Sequence, residues 1–155
     1  PRTSRAHAFN INLRSKTMTQ SYRYLENPDA VHPPVGRYSH LARFKASETL
    51  VLAGQVAIDL EGRLVGEGDV AAQTRQVFDN IGRILESAGA SFDNVVEFTT
   101  YVVGWESVQP YLNGRTGIFD EIFPGRDYPP NTLLVISGLV REDMLVEIST
   151  VAVLT

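Results

Sequence analysis

A glutamate inside an apolar strand is the feature of this chain with the most chemical content. Glu147 lies in Met144-Leu145-Val146-Glu147-Ile148-Ser149-Thr150-Val151. Two-residue alternation puts it on one strand face with Leu145, Ser149 and Val151. A carboxylate among such neighbours is costly unless paired, hydrogen-bonded or protonated. Burial there would raise its pKa toward values useful to a general acid or base. An exposed edge position, or a structural ion pair with an arginine, would account for the same residue without chemistry. Tyr38, in Gly36-Arg37-Tyr38-Ser39-His40, follows a proline-rich approach. Its hydroxyl could donate to a substrate or orient a water, although most tyrosines serve packing.

Other chemistries find little support. His7, His32 and His40 are widely spaced, and no pair has metal-ligand spacing with a carboxylate, so no metal site is expected. The chain has no cysteine, which removes disulfides, thiolate nucleophiles and cysteine metal sites and fits a reducing compartment. Gly66-Glu67-Gly68 lacks the further glycine and the lysine of a phosphate loop. No nucleophile elbow or serine-centred triad signature occurs. Arg115 and Arg141 are candidates for lining a pocket, as exposed arginines often are without function. The net charge of −4 gives none of the basic field of a dedicated nucleic-acid binder. No apolar run approaches the roughly 20 residues that span a bilayer. A soluble, cytoplasmic protein is expected.

These residues need a scaffold, and 155 residues suit one domain. Tyr22 to Gly36 reads as irregular, punctuated by Pro28, Pro33 and Pro34. A strand pattern starts near Leu41. The run Thr49 to Val56 is apolar and β-branched, and the short break Ala46-Ser47-Glu48 before it predicts a hairpin with Arg43 to Lys45. Asp59-Leu60-Glu61-Gly62 makes a turn. Asp69 caps a helix whose stripe is Val70, Val77, Phe78, Ile81, Ile84, Leu85 and Ala88, with Gly89 as its left-handed terminator. Val95 to Val103 is a strand. Ser107 caps a second helix, with Pro110 in its first turn, Gly114 and Gly117 weakening it, and Pro124-Gly125 ending it. Strands over Thr132 to Ser137 and Met144 to Val153 close the chain.

The order β-β-α-β-α-β-β predicts an α+β fold: one mixed sheet with both helices on one face. Strands such as Val95 to Val103 and Met144 to Val153 carry apolar residues on both alternating sets, so the other face calls for cover by further subunits. Pro1 to Thr17 holds Arg2, Arg5, Arg14 and Lys16 and no acid. It reads as an upstream extension before a start at Met18, or as a transit peptide. Residues 1–21 are set apart as an N-terminal extension, and 22–155 form the domain.

Over Tyr38 to Val153 the sequence resembles the RidA (YjgF, reactive-intermediate deaminase; endoribonuclease L-PSP) family. The resemblance rests on Tyr38-Ser39-His40, Ala53-Gly54-Gln55, Gly68-Asp69 with Gln73-Thr74-Arg75-Gln76-Val77 and Asn80, Ala88-Gly89-Ala90-Ser91, Asp93-Asn94-Val95-Val96, Phe123-Pro124 and Leu145-Val146-Glu147-Ile148. It implies a chorismate-mutase-like fold and a homotrimer with a barrel-like core and small-molecule clefts between protomers. It also implies hydrolysis of enamines or imines with release of ammonia, needing no metal or cofactor. Glu147 would position or activate water, and Tyr38 would be the early tyrosine of the site. Ala53, Gly54, Thr116 and Asn131 fall at the family's substrate-binding positions.

Three of these depart from the family pattern. Asn131, in Tyr128-Pro129-Pro130-Asn131-Thr132, stands where the family has its carboxylate-clamping arginine. Ala53 stands in place of a serine, and Thr116 aligns with an asparagine. Arginine offers a permanent charge and a bidentate fork, and asparagine offers neither. Losing such a clamp costs on the order of 3 kcal/mol, over a hundredfold in binding. The expectation is a hydrolase for an enamine, imine or related intermediate other than 2-iminopropanoate, its substrate lacking the usual carboxylate or holding it through Arg141 or Arg115. A non-catalytic, ligand-binding regulatory trimer is the alternative. An RNA-cleaving role is disfavoured by the acidic balance and the absence of paired catalytic histidines.

Overall fold

The protein is described by a computed structural model over residues 22–155, so the expected extension at 1–21 lies outside the described residues. Its elements are β1 (Tyr22–Glu26), β2 (Leu41–Lys45), β3 (Glu48–Val56), α1 (Val70–Ser87), β4 (Val95–Val103), α2 (Val108–Ile122), β5 (Asn131–Ile136) and β6 (Val146–Leu154). The fold is α+β. Four strands make a mixed sheet in the order β3-β6-β4-β5, with β4 and β5 parallel and the other pairs antiparallel.

Two strand expectations need correction. Tyr22 to Gly36 is not irregular throughout, because β1 occupies its first residues. The hairpin between Arg43–Lys45 and the next strand does not form: β2 pairs with β1 in a separate ribbon, Tyr22 opposite Lys45 and Glu26 opposite Leu41. The break at Ala46-Ser47 is the corner where the chain passes from the ribbon to the main sheet. There Ser47 N and Oγ both bond to the Leu154 carbonyl, at 2.8 and 2.9 Å.

Both helices cover one side of the main sheet. Of the expected α1 stripe, Val70, Val77, Phe78, Ile81 and Leu85 are buried and Ile84 is half-buried, while Ala88, at the C-cap where the helix leaves the sheet, is exposed. Asp69 caps α1 by accepting from Ala72 N at 3.0 Å, and Gly89 follows it at φ 73°. Ser107 does not cap α2. The 3-10 turn Trp105–Ser107 runs straight into the helix, so Ser107 is already helical and its hydroxyl bonds no helix amide. Gly114 allows the two helices to meet, since a Cβ there would lie 3.1 Å from Ala71 Cα. Phe78, Phe98, Phe119 and Phe123 interlock beneath the helices, with ring centroids 5.1 to 6.4 Å apart.

The other sheet face is open. On β4 and β6 the side chains alternate, with Phe98, Thr100, Val102, Val146, Ile148 and Thr150 buried toward the helices. Tyr101, Glu147, Ser149 and Val151 fall on the opposite face and are only half-buried. Val51, paired with Val151, is 78% exposed, and Leu134, paired with Tyr101, is 40% exposed. No helix of the described residues is long and apolar enough to cross a membrane.

Candidate functional site

Glu147 stands on the interior strand β6, opposite Val56 of β3 and Tyr101 of β4. It is therefore not an edge residue. No ion pair or hydrogen bond to its carboxylate occurs among the described residues. Its seat is made by an absence. The register of β3 against β6 shifts between Leu52 and Gln55, a bulge that contains Gly54. A Cβ on Gly54 would lie 1.9 Å from Glu147 Oε1 and 2.7 Å from its Cδ. The glutamate fills the volume that any other residue at 54 would claim. Ala53, beside it in the bulge, is exposed.

Two polar side chains of α1, one buried and one half-buried, fix the strands on either side of this seat. Gln73 is fully buried. It donates from Nε2 to the carbonyls of Gly66 (3.0 Å) and Asp143 (2.9 Å) and accepts from Leu145 N at 2.8 Å. This sets the entry to β6 two residues before Glu147. Asn80, one heptad along the same helix face, donates from Nδ2 to the carbonyls of Val56 (3.1 Å) and Ile58 (2.8 Å). This sets the exit of β3 at the residue opposite Glu147. Composition made these two look like part of the polar face of an amphipathic helix. Their seven-residue spacing, which keeps them on one side of the helix, is the signal for a clamp.

Tyr38 is placed elsewhere. It is half-buried on the approach to β2 and meets His40 edge-on at 5.4 Å between ring centroids. His40 meets His32 at 5.2 Å, and its Nε2 lies 2.8 Å from the His32 carbonyl. The same arm borders a cleft of about 250 Å³ with Phe44, Glu97, Pro130 and Val151 on its other walls. Val151 shares the face of Glu147 but lies four residues away, roughly 13 Å along the strand.

Asn131 opens β5 opposite Phe98, on the helix side of the sheet. Its Oδ1 accepts from Thr100 Oγ1 at 3.2 Å, and Thr100 Oγ1 lies 3.1 Å from the Tyr111 hydroxyl. The Asn131 Nδ2 is buried without a partner. Two strand spacings and three residues separate Asn131 from Glu147, about 14 Å, and their side chains leave opposite faces. One chain therefore does not bring them together. Thr116 is exposed, with its hydroxyl bonded to its own helix at Leu112 O (2.9 Å) and its carbonyl taken by Arg37 (2.9 Å). Arg141 is committed to Asp143, with its Nε 3.0 Å from Oδ1, and this contact holds the Asp143 carboxyl below its usual range. Sequence reasoning missed Tyr101, directly across from Glu147 on the open face. A tyrosine in an apolar strand reads as packing until the register is known. Among the described residues no group of three or more His, Cys, Asp or Glu could hold a metal ion.

The profile of the family described as Endoribonuclease L-PSP matches residues 29–154. The chain belongs to this family. The family is the one resembled above, that of RidA and YjgF. A RutC family protein of Pyrococcus horikoshii is 34% identical to this L-PSP family chain over 119 residues, 77% of the chain and 88% of the relative. A RutC family protein of Synechocystis is 33% identical over 122 residues, 78% and 88% of the two chains. Among solved structures, the Rid family protein YyfB of Yersinia pestis is similar with a TM-score of 0.77 and 33% identity, over 85% of this chain and 98% of that one. The YjgF protein of E. coli is similar with a TM-score of 0.60 and 26% identity, over 68% of this chain and 80% of that one. The mixed sheet with its two helices is thus the L-PSP (RidA) fold.

Proposed function

We propose that this RidA-family chain is a homotrimeric, metal-independent hydrolase of an enamine, imine or related reactive intermediate other than 2-iminopropanoate. The observation that carries the reading is the Glu147 carboxylate. It is unpaired among the described residues, seated over Gly54, and half-buried on the uncovered sheet face. One chain offers two incomplete halves. Glu147, Gly54 and Tyr101 stand at one end of the open face, and Tyr38, His40 and the Pro130-Asn131 corner stand near the other. A cyclic assembly joins one end of each protomer to the other end of its neighbour, and three such contacts close a ring. The exposed Val51 and Leu134 are then covered.

In such a cleft Glu147 accepts a proton from water as the oxygen adds to the carbon of a C=N bond. Tyr38 donates a hydrogen bond to the substrate. Glu147 returns that proton to the nitrogen, the hydroxyl of the tetrahedral adduct gives up the second, and the C–N bond breaks to release ammonia and leave a carbonyl. No external oxidant or cofactor is required for that balance. Asn131 supplies no charge where the family clamps a carboxylate, which supports a substrate other than 2-iminopropanoate.

The test is ammonia release from a panel of enzymatically generated imines and enamines by the parent and by Glu147→Gln. The reading expects at least one substrate whose turnover falls about a hundredfold or more in the variant. Equal rates would remove Glu147 from the reaction. The alternative is a ligand-binding regulatory trimer, favoured by the replaced clamp. It predicts thermal-shift binding without product by mass spectrometry.

A further inference from the structure

Tyr38 is carried on a long arm that a single side chain ties down. Residues 27–40 join β1 to β2. They far exceed the roughly 2–5 residues of an ordinary hairpin loop, and connections of such length usually have a task. The arm closes on itself at its base: His40 N donates to Asn27 Oδ1 at 2.9 Å, and the His40 ring meets the His32 carbonyl. Among the described residues, every hydrogen bond from the arm to another element comes from Arg37. Its Nη1 donates to Asp120 Oδ1 at 2.5 Å and to the Thr116 carbonyl at 2.9 Å, and its Nη2 lies 3.4 Å from Asp120 Oδ2. Its guanidinium carbon stands 5.7 Å from the centroid of the Tyr128 ring.

These anchors are rigid, and they lead to another wall of the cleft that the arm borders. Thr116 and Asp120 are one turn apart on α2. Tyr128 stacks on Phe119 at 5.7 Å and meets Phe123 edge-on at 6.0 Å, so the aromatic core fixes it. Two residues further on is Pro130, which lines the 250 Å³ cleft together with His40 of the arm. Arg37 is also the apex of a three-residue turn, in which Tyr38 N donates to the Gly36 carbonyl at 3.1 Å. Whatever holds Arg37 therefore holds the peptide that carries Tyr38.

We propose that Arg37 is a positioning residue: it locks the Tyr38 arm to α2 and to the Tyr128–Asn131 corner, and thereby sets Tyr38 for the substrate. A guanidinium suits the task because one planar fork serves a carboxylate, a carbonyl and a ring face at once. The Arg37 and Asp120 side chains are 29% and 58% exposed. An ion pair so exposed adds little to global stability and is screened by salt. Its loss frees the arm without unfolding the domain. The inference rests on the hydrolase reading only in giving Tyr38 a substrate to meet. The lock itself is measurable without turnover.

The test is 19F NMR of the full chain labelled with 3-fluorotyrosine, the Tyr38 resonance being identified by its loss in Tyr38→Phe. In Arg37→Gln that resonance should move toward the position of free fluorotyrosine and narrow, while Tm falls by no more than about 3 °C. Turnover of any imine the parent hydrolyses should fall about tenfold to a hundredfold. Asp120→Asn should act in the same direction, and the double variant should lose less than the two single losses combined. Arg37→Lys, which keeps the charge without the fork, should lie between parent and Arg37→Gln. Raising sodium chloride from about 0.05 to 0.5 M should move the parent resonance toward that of Arg37→Gln and leave the variant's in place. A Tyr38 resonance that stays put in both Arg37→Gln and Asp120→Asn overturns the proposal, as does a moved resonance with unchanged turnover. If the resonance moves but the parent hydrolyses no imine, the lock stands and the hydrolase reading fails. Turnover dependent on Glu147 beside an unmoved resonance gives the reverse.

Discussion

Gly54→Ala gives the account its sharpest structural test. The new methyl would lie 1.9 Å from Glu147 Oε1, 2.7 Å from Cδ and 2.9 Å from Cγ. Ordinary carbon–oxygen contact begins near 3.3 Å, so the carboxylate must retreat by roughly 1.5 Å. Gly54 is not in the left-handed region, so an alanine meets no backbone strain there. Because the obstacle is a side chain at an open face, the stability cost falls at the low end for overpacking, about 1 kcal/mol. That corresponds to about 2–4 °C in Tm for a chain of this size. A displacement of about 1 Å in a group that positions a reactant costs about a hundredfold in rate. Gly54→Ala is therefore expected to lose far more activity than stability. The assay pairs ammonia release with thermal denaturation for Gly54→Ala, Glu147→Ala and the double variant. The Tm loss should vanish in the Glu147→Ala background, where nothing remains to collide with the methyl. Full activity in Gly54→Ala, or the same Tm loss with and without Glu147, would refute the seat described for this carboxylate.

Gln73→Leu removes three hydrogen bonds at a fully buried position and leaves the Asp143 carbonyl and the Leu145 amide without a partner. It should cost about 2–4 kcal/mol in urea denaturation and loosen the entry to β6, seen as faster amide exchange at Leu145 and Glu147. Asp69→Ala removes the α1 cap and should lower stability by about 1 kcal/mol without changing turnover. Arg75 holds the exposed Glu121 carboxyl below its usual range through a paired hydrogen bond. A depressed folded-state pKa contributes stability above the ordinary glutamate value, about 4.3, and that contribution is lost as pH falls through the folded value. Urea midpoints at pH 7, 5 and 3 should therefore fall less steeply in Arg75→Gln than in the parent.

Much of this fold is legible in the chain because local rules and tertiary packing agree. The α1 stripe, its Asp69 cap and Gly89 all act where their spacing puts them. The sheet pairing is not legible in the same way. The Ala46-Ser47 break looks like a hairpin turn, yet β3 finds β6 as its partner from a hundred residues away, and β2 is taken by β1. Long-range pairing depends on which apolar faces meet, which a two-residue pattern does not encode. Ser107 shows a smaller version of the same lesson, a good capping residue already inside a 3-10 turn.

The site divides along that line too. Glu147 stands out in sequence because a carboxylate breaks an apolar run, and the aspects that depend on its own strand follow at once. Its seat over Gly54 needs the bulge in β3, and its neighbour Tyr101 needs the β4 register. Arg115 reads in sequence as one more exposed arginine of a helix. Only the helix phase, with Tyr111 and Phe119 on either side, puts it in the interior. The Gln73 and Asn80 clamps were hidden for a related reason, since polar residues on a helix look solvated until their partners are placed.

The central claim is that the sheet face bearing Glu147 is closed by two further copies of the chain. Sedimentation equilibrium of the full chain, beside a Val51→Asp variant that puts a charge on that face, tests it most directly. The account predicts three times the mass of one chain for the parent, and a smaller species for Val51→Asp that keeps its secondary structure. A monomeric parent, or a trimer that Val51→Asp leaves intact, would contradict it.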